Sequence, residues 1–178
     1  KSSGARDYLP LWSPDGKYIA YISDEKGGQE IFIVDQMNEN QPIQITSTGN
    51  FKIAMEWSPD SKKILYGTND RKLYTVNINN KKSILVDTSN VDLIGDANWS
   101  PDSRWITYVK QLKNYSSQVY IYDSQENKVH SLNLEPDIYS NPRFTTDGKG
   151  MILFHSPLYS SSFQTGYYIN FCKNSEPF

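Results

Sequence analysis

LWSPDGKYIAYIS at residues 11–23, EWSPDSKKILYGT at 56–68 and NWSPDSRWITYVK at 98–110 are three spellings of one sentence. A fourth and looser spelling, RFTTDGKGMILFH, runs from 143 to 155. The leading aromatics Trp12, Trp57, Trp99 and Phe144 stand 45, 42 and 45 residues apart. A period in the low forties suits four-stranded propeller blades and some helical repeats alike, so the local pattern has to decide. After each Trp come Ser-Pro-Asp and then Gly or Ser. Proline presets φ for the first central position of a type I turn, and Asp bonds its own nearby backbone. The chain must reverse there, which makes each copy open as a hairpin. The fourth copy has lost the proline but keeps Asp147-Gly148, itself a hairpin signal.

Beyond the turn each copy continues as a β-branched and aromatic run. Tyr21, Tyr66 and Tyr108 follow their tryptophans by nine residues, and Phe154 is taken as the matching ring of the fourth copy. Third strands are expected at IFIVD (31–35), LYTVN (73–77), VYIYD (119–123) and YYINF (167–171). Short fourth strands are expected at IQIT (43–46), SILV (83–86) and VHSL (129–132). Turn-rich patches such as DEKGGQ, NINNKK and DSQENK separate them. No dozen residues sustain a helical period. The expected fold is all-β: a β-propeller segment of about four blades of four antiparallel strands, spanning 1–178 as one partial domain. Its blades fall near 8–47, 51–87, 95–133 and 139–172.

Repetition has a physical purpose. A twisted sheet has two faces to cover, and stacking like sheets radially lets each blade bury its neighbour's face. A Trp or Tyr buries roughly 150–250 Å², which at about 25 cal/mol/Å² is roughly 4–6 kcal/mol gross. The recurring rings are therefore read as blade-to-blade packing, not as a ligand-binding aromatic box.

Composition narrows the partners. The 178 residues carry a net charge of −2, with no basic excess to neutralise nucleic-acid phosphates. No apolar run is long enough to span a bilayer as a helix. The first residues, KSSGARDY, lack the pattern of a secretion signal and an initiator Met, so the chain reads as a piece of something longer. Compartment is left open. The single Cys172 allows neither an internal disulfide nor a thiolate zinc cluster.

The blade wording WSPDGKYIAYIS…EIFIVD…IQIT resembles the propeller repeats of TolB and of tricorn-type proteases. The third copy is more specific. DANWSPDSRWITYVK, then SQVYIYDSQENKVHSL, then YSNPRFTTDGKGMILF is similar in wording and order to the tricorn protease family, over residues 6 to 156. That resemblance implies part of a seven-bladed ring, with the other blades elsewhere in the parent. It also implies a large serine peptidase whose propellers guard the route to a chamber. The peptidase's catalytic groups lie in other domains of that family, and no position here matches their motifs.

Chemistry sought within the chain gives the same answer. His130 and His155 are isolated, without the paired spacing of a metal site. There is no G-x-S-x-G elbow and no glycine-rich phosphate loop. Asp15, Asp60, Asp102 and Asp147 are turn residues, while Asp35 and Asp123 end third strands with Asn77 in the equivalent place. No catalytic residue, metal or cofactor is expected. The sequons at Asn98 and Asn114 read as accidental. If the Trp-ending strands line the central channel, as the resemblance to such propellers implies, Glu56 and Arg143 are the off-pattern residues there, where small or neutral residues are usual. They could line a channel and, for Arg143, meet peptide carboxylates or carbonyls. The plainer alternative is a surface or inter-blade ion pair.

Three functions compete: a non-catalytic propeller segment of a tricorn-like peptidase that gates or guides peptides, a TolB-like scaffold that binds protein partners, and the propeller cap of a prolyl-oligopeptidase-like or dipeptidyl-peptidase-like enzyme. The partners implied are peptides and other domains or subunits of the parent, including a homo-oligomer.

Overall fold

Ser13, Ser58, Ser100 and Thr145 build the same turn in four places. Each hydroxyl donates to the Asp two residues on, at 2.7 Å for Ser13 and 2.6 Å for both Ser58 and Thr145, and accepts the amide five residues on. The expected reversal is confirmed by amide-to-carbonyl bonds three residues apart, Gly16 to Ser13 and its three counterparts. The closing residue is left-handed in every copy, at Gly16, Ser61, Ser103 and Gly148, with φ between 59° and 71°. Gly meets that demand without cost and Ser does not.

A computed structural model describes residues 4–37, 41–157 and 165–171, and Cys172 lies outside them. Around the turns stand β1 (Asp7–Trp12), β2 (Tyr18–Ser23), β3 (Glu30–Asp35) and β4 (Ile43–Gln44), forming the first sheet in chain order. The second comprises β5 (Lys52–Trp57), β6 (Lys63–Thr68), β7 (Lys72–Asn77) and β8 (Ser83–Thr88). The third comprises β9 (Gly95–Trp99), β10 (Trp105–Gln111), β11 (Ser117–Asp123) and β12 (Lys128–Ser131). The fourth has three strands among the described residues: β13 (Ile138–Phe144), β14 (Gly150–Ser156) and β15 (Thr165–Asn170). Pairing is antiparallel throughout.

The chain divides into two compact units, Lys1–Leu85 and Val86–Phe178. In the first, Ala20, Ile22, Ile31 and Ile33 of one sheet meet Trp57, Ile64, Tyr66 and Val76 of the next. In the second, Val109, Val119 and Ile121 meet Tyr139, Met151 and Leu153. Sheet-on-sheet burial by like positions is therefore observed within each unit.

Two expectations need correction. Phe154 is not the fourth copy's register aromatic. Phe144 pairs with Met151 as Trp57 pairs with Ile64, so the match to Tyr66 is Leu153, fully buried, while Phe154 is 41% exposed. With a side-chain period of two, a one-residue slip moves a ring to the opposite face. Trp12 is likewise not a packed ring but 56% exposed, whereas Trp57 and Trp99 are buried. Trp57 packs on the sheet preceding its own, and no sheet precedes the first among the described residues.

Candidate functional site

The first strand of each sheet has one ladder partner and is bulged. The register of β1 shifts between Tyr8 and Leu11, and β5 shifts between Lys52 and Ala54. In β9 the shift lies between Gly95 and Asn98, and in β13 between Ser140 and Arg143. In three copies the bulge contains a left-handed residue three places before the aromatic: Leu9 (φ 51°), Asp96 (φ 51°) and Asn141 (φ 49°). Bulges bend a strand and re-aim the side chains that follow. Asn141-Pro142 is suited to this, since Asn tolerates the left-handed region and Pro is admitted to strands at bulges.

The position just before the aromatic holds Leu11, Glu56, Asn98 and Arg143; the ladder resumes there in β1, β9 and β13, and two residues earlier, at Ala54, in β5. Glu56 is half-buried opposite Leu65 in β6, and Arg143 is exposed opposite Ile152 in β14. They belong to different units, and each is placed by its own bulged strand. Around Arg143 the bulges are tied together. The Asn141 amide donates to Asp96 Oδ2 at 2.8 Å, and Asn98 Nδ2 donates to the Asp96 carbonyl at 2.8 Å and the Pro142 carbonyl at 3.5 Å. Asn98 is 4% exposed, as its place beside a core Trp implied.

Sequence reasoning missed the joint between the first two sheets. Lys52 Nζ, with no side-chain exposure, donates to Glu30 Oε2 at 2.7 Å, to Thr48 Oγ1 at 2.7 Å and to the Asn50 carbonyl at 2.9 Å. Glu30 also accepts from Thr46 Oγ1 and from the Gly49 amide. Burial works to raise the Glu30 carboxyl. The bonds from Lys52, Thr46 and Gly49 outweigh it and hold the group below its ordinary value. The available signal was a Glu heading an otherwise apolar strand, EIFIVD.

Other charged groups are structurally engaged. Asp123 Oδ2 accepts from Arg104 Nη2 at 2.6 Å, and its Oδ1 takes the Gln125 and Glu126 amides, the strand-end turn expected of it. Asp87 Oδ2 accepts from Tyr108 Oη and Lys110 Nζ, and burial pushes the Tyr108 hydroxyl far up. His155 Nε2 lies 2.5 Å from Asp137 Oδ2, and its ring leans on Tyr139. His130 lies in β12, as expected. Among the described residues no cluster of three His, Cys, Asp or Glu side chains could hold a metal ion.

Four antiparallel sheets of one repeat, without a helix among the described residues, are blades of a β-propeller. The chain belongs to the family described as the Tricorn protease second beta propeller domain, which residues 1–158 match. It is 29% identical over 92 residues to a tricorn protease homolog of Saccharolobus solfataricus, a match covering 52% of this chain and 8% of that protein. The chain spans about a tenth of the length of such curated relatives. The crystal structure of the tricorn protease superposes with a TM-score of 0.77 at 19% identity, covering 91% of this chain and 17% of that one. TolB from Acinetobacter baumannii superposes at 0.66 and 24% identity, covering 96% and 42%. These superpositions establish a shared fold, which many functions use.

Proposed function

We propose that this chain is a non-catalytic part of a tricorn-like serine peptidase, where its inner strands guide or gate peptides and its blades contact other domains or subunits. The observation that carries this reading is the strand position shared by Leu11, Glu56, Asn98 and Arg143, each just before a leading aromatic on a bulged edge strand. A varied set of side chains on an invariant scaffold position is how a channel acquires selectivity without altering its walls. Arg143, exposed and beside the Asp96–Asn141 tie, offers a fixed fork of donors to peptide carboxylates and carbonyls.

The test uses the full-length parent peptidase. Arg143→Ala should raise KM roughly fivefold for a long peptide rich in Asp and Glu, as an exposed ion pair of ~1 kcal/mol implies. Its kcat should stay unchanged, as should turnover of an uncharged dipeptide. Unchanged KM for every long peptide would remove Arg143 from the route. The isolated chain should cleave no peptide, and cleavage abolished by replacing one of its own serines would overturn the non-catalytic reading. A TolB-like scaffold role is the second reading, resting on the blade wording that TolB proteins share with this chain. It predicts that the parent contains no serine-peptidase domain.

A further inference from the structure

In the second unit a cavity of about 240 Å³ opens between the turns of the third and fourth sheets. Trp105, Phe144 and Phe171 supply its aromatic wall, and the turn residues Asp102, Asp147 and Gly148 lie around it. The cavity coincides with the fourth copy's departures from the repeat. Where the first unit has Trp57, Pro59 and Ser61, this unit has Phe144, Thr146 and Gly148. In the first unit the Trp57 indole packs into the core and donates to the Leu11 carbonyl at 3.1 Å, and Ser61 Oγ accepts the Asp15 amide at 3.0 Å. These contacts lace the two turns together. Phe lacks the indole's second ring and its donor, and Gly has no hydroxyl, so the corresponding space is left between Asp102 and Asp147.

Its chemistry favours one kind of occupant. Asp102 Oδ1 is committed to the Ser100 hydroxyl and the Arg104 amide, and Asp147 Oδ1 to the Thr145 hydroxyl and the Lys149 amide. The remaining carboxylate oxygen of each takes no part in these turn bonds. The Thr145 hydrogen bond, followed by the Lys149 amide, holds the Asp147 carboxyl below its ordinary value, so it stays ionised. The nearby cations are Arg104, paired with Asp123 and lying 4.4 Å over the Trp105 ring, and Lys149, whose charge acts on Asp147. Aromatic faces beside carboxylates suit a cation on an aliphatic stem. A volume below that of ordinary small-molecule sites admits one side chain, not a folded ligand.

We propose that this cavity receives the side chain of an arginine or lysine from a peptide or partner segment. The site stands on the second unit's own geometry and is independent of the inner-strand reading above.

The chain can be titrated with N-acetyl-arginine amide while its amide and indole NMR signals are followed, with the neutral citrulline analogue as control. Saturable shifts at Gly148 and the Trp105 indole are expected for arginine, with at least fivefold weaker binding of citrulline. Phe144→Trp, which restores the repeat's ring, should abolish the shifts while keeping a dispersed spectrum. Asp147→Asn, which retains an oxygen for the turn, should weaken binding at least threefold. Absent saturation, equal binding of citrulline, or indifference to both cavity variants would overturn the proposal. Loss of the Arg143 effect in the parent peptidase would not touch it.

Discussion

The two units solve the same joining problem in different currencies. Lys52 and Tyr139 occupy one repeat position, each on a first strand opposite the sixth residue of a second strand. In the first unit, Lys52 is locked by a buried carboxylate, and Glu30 also gathers the connecting segment through Thr46 and Gly49. In the second unit the residue paired as Glu30 is paired is Gln118, facing Lys110 as Glu30 faces Ser23. It too holds the connecting segment, donating Nε2 to the Leu134 carbonyl at 2.6 Å, but its Oε1 is buried with no hydrogen-bond partner among the described residues. Tyr139 is held instead by its neighbour Ser117, whose hydroxyl accepts the Tyr139 amide at 2.6 Å and donates to its carbonyl at 3.0 Å. A joint built on charge tolerates the loss of neither partner, because the survivor is left ionised in a dry site. A joint built on a hydroxyl and backbone degrades gently.

The rings at the two joints differ in the same sense. Trp57 is buried and hydrogen-bonded across sheets, while Phe144 is half-buried, 6.2 Å from Phe171 and beside a cavity. The largest loss is therefore expected from Trp57→Ala, about 4–5 kcal/mol by chemical unfolding, the upper end of large aromatic truncations. Trp12→Ala, at the same repeat position but exposed, should cost less than about 0.5 kcal/mol in this chain. Equal losses would mean that the rings do not stabilise by leaning on the preceding sheet.

Next comes Lys52→Met, which strands the Glu30 carboxylate and should cost about 3–4 kcal/mol. Adding Glu30→Leu should recover most of that, since a well-packed apolar pair often equals a buried ion pair. The matching change in the second unit, Gln118→Met, should cost no more than about 1 kcal/mol, because it removes one bond but also an unpartnered oxygen. A double variant as unstable as Lys52→Met alone would show that Glu30 matters through Thr46 and Gly49, not through charge.

How much of this was legible in the sequence follows from what each feature repeats. The turns, the strand order and the ring positions recur, so spacing alone revealed them. The candidate residues Glu56 and Arg143 were found as departures from that recurrence, and each stands just before its ring, Arg143 directly after a bulge and Glu56 two residues beyond the end of one. Asn141-Pro142 and Asp96 suit the bulge, but Leu9 adopts the same left-handed backbone without such a side chain, and β5 bulges with no left-handed residue, so no common residue type announced it. The Phe154 error has a similar root: a hydrophobic run MILF offers an apolar side chain at either parity, and only the ladder fixes which face is inward. Glu30 and Lys52 are 22 residues apart and unlike their counterparts, so their pairing was invisible to any argument from periodicity.

Acid should separate the joints further. Glu30 is held below its ordinary value of 4.5, so its contribution is complete above that pH and is lost as pH falls through its lowered value in the folded protein. The Glu30→Leu/Lys52→Met variant lacks this dependence, whereas Gln118 has nothing to titrate. Stability measured from pH 7 down to pH 3 should fall more steeply for the natural chain than for the double variant. Parallel curves would show that Glu30 binds protons equally in both states.

The smallest contrast lies in the hairpins that join third to fourth strands. Lys81 and Asn127 both turn left-handed there, at φ 57° and 55°. Asn127 suits the position twice over, since Asn visits that region readily and its Oδ1 accepts the Tyr122 hydroxyl at 2.8 Å. Lys81 has neither advantage: its side chain is exposed, and its amide alone is used, donating to the Asn77 carbonyl at 2.9 Å. Lys81→Gly should therefore stabilise the first unit by about 0.5–1 kcal/mol, relief of the left-handed strain exceeding the added freedom of the unfolded chain. Asn127→Gly should destabilise the second unit, because it relieves little strain and strands a tyrosine hydroxyl. Shifts of the same sign in the two unfolding midpoints would mean that backbone strain, and not the Tyr122 bond, sets the preference at both turns.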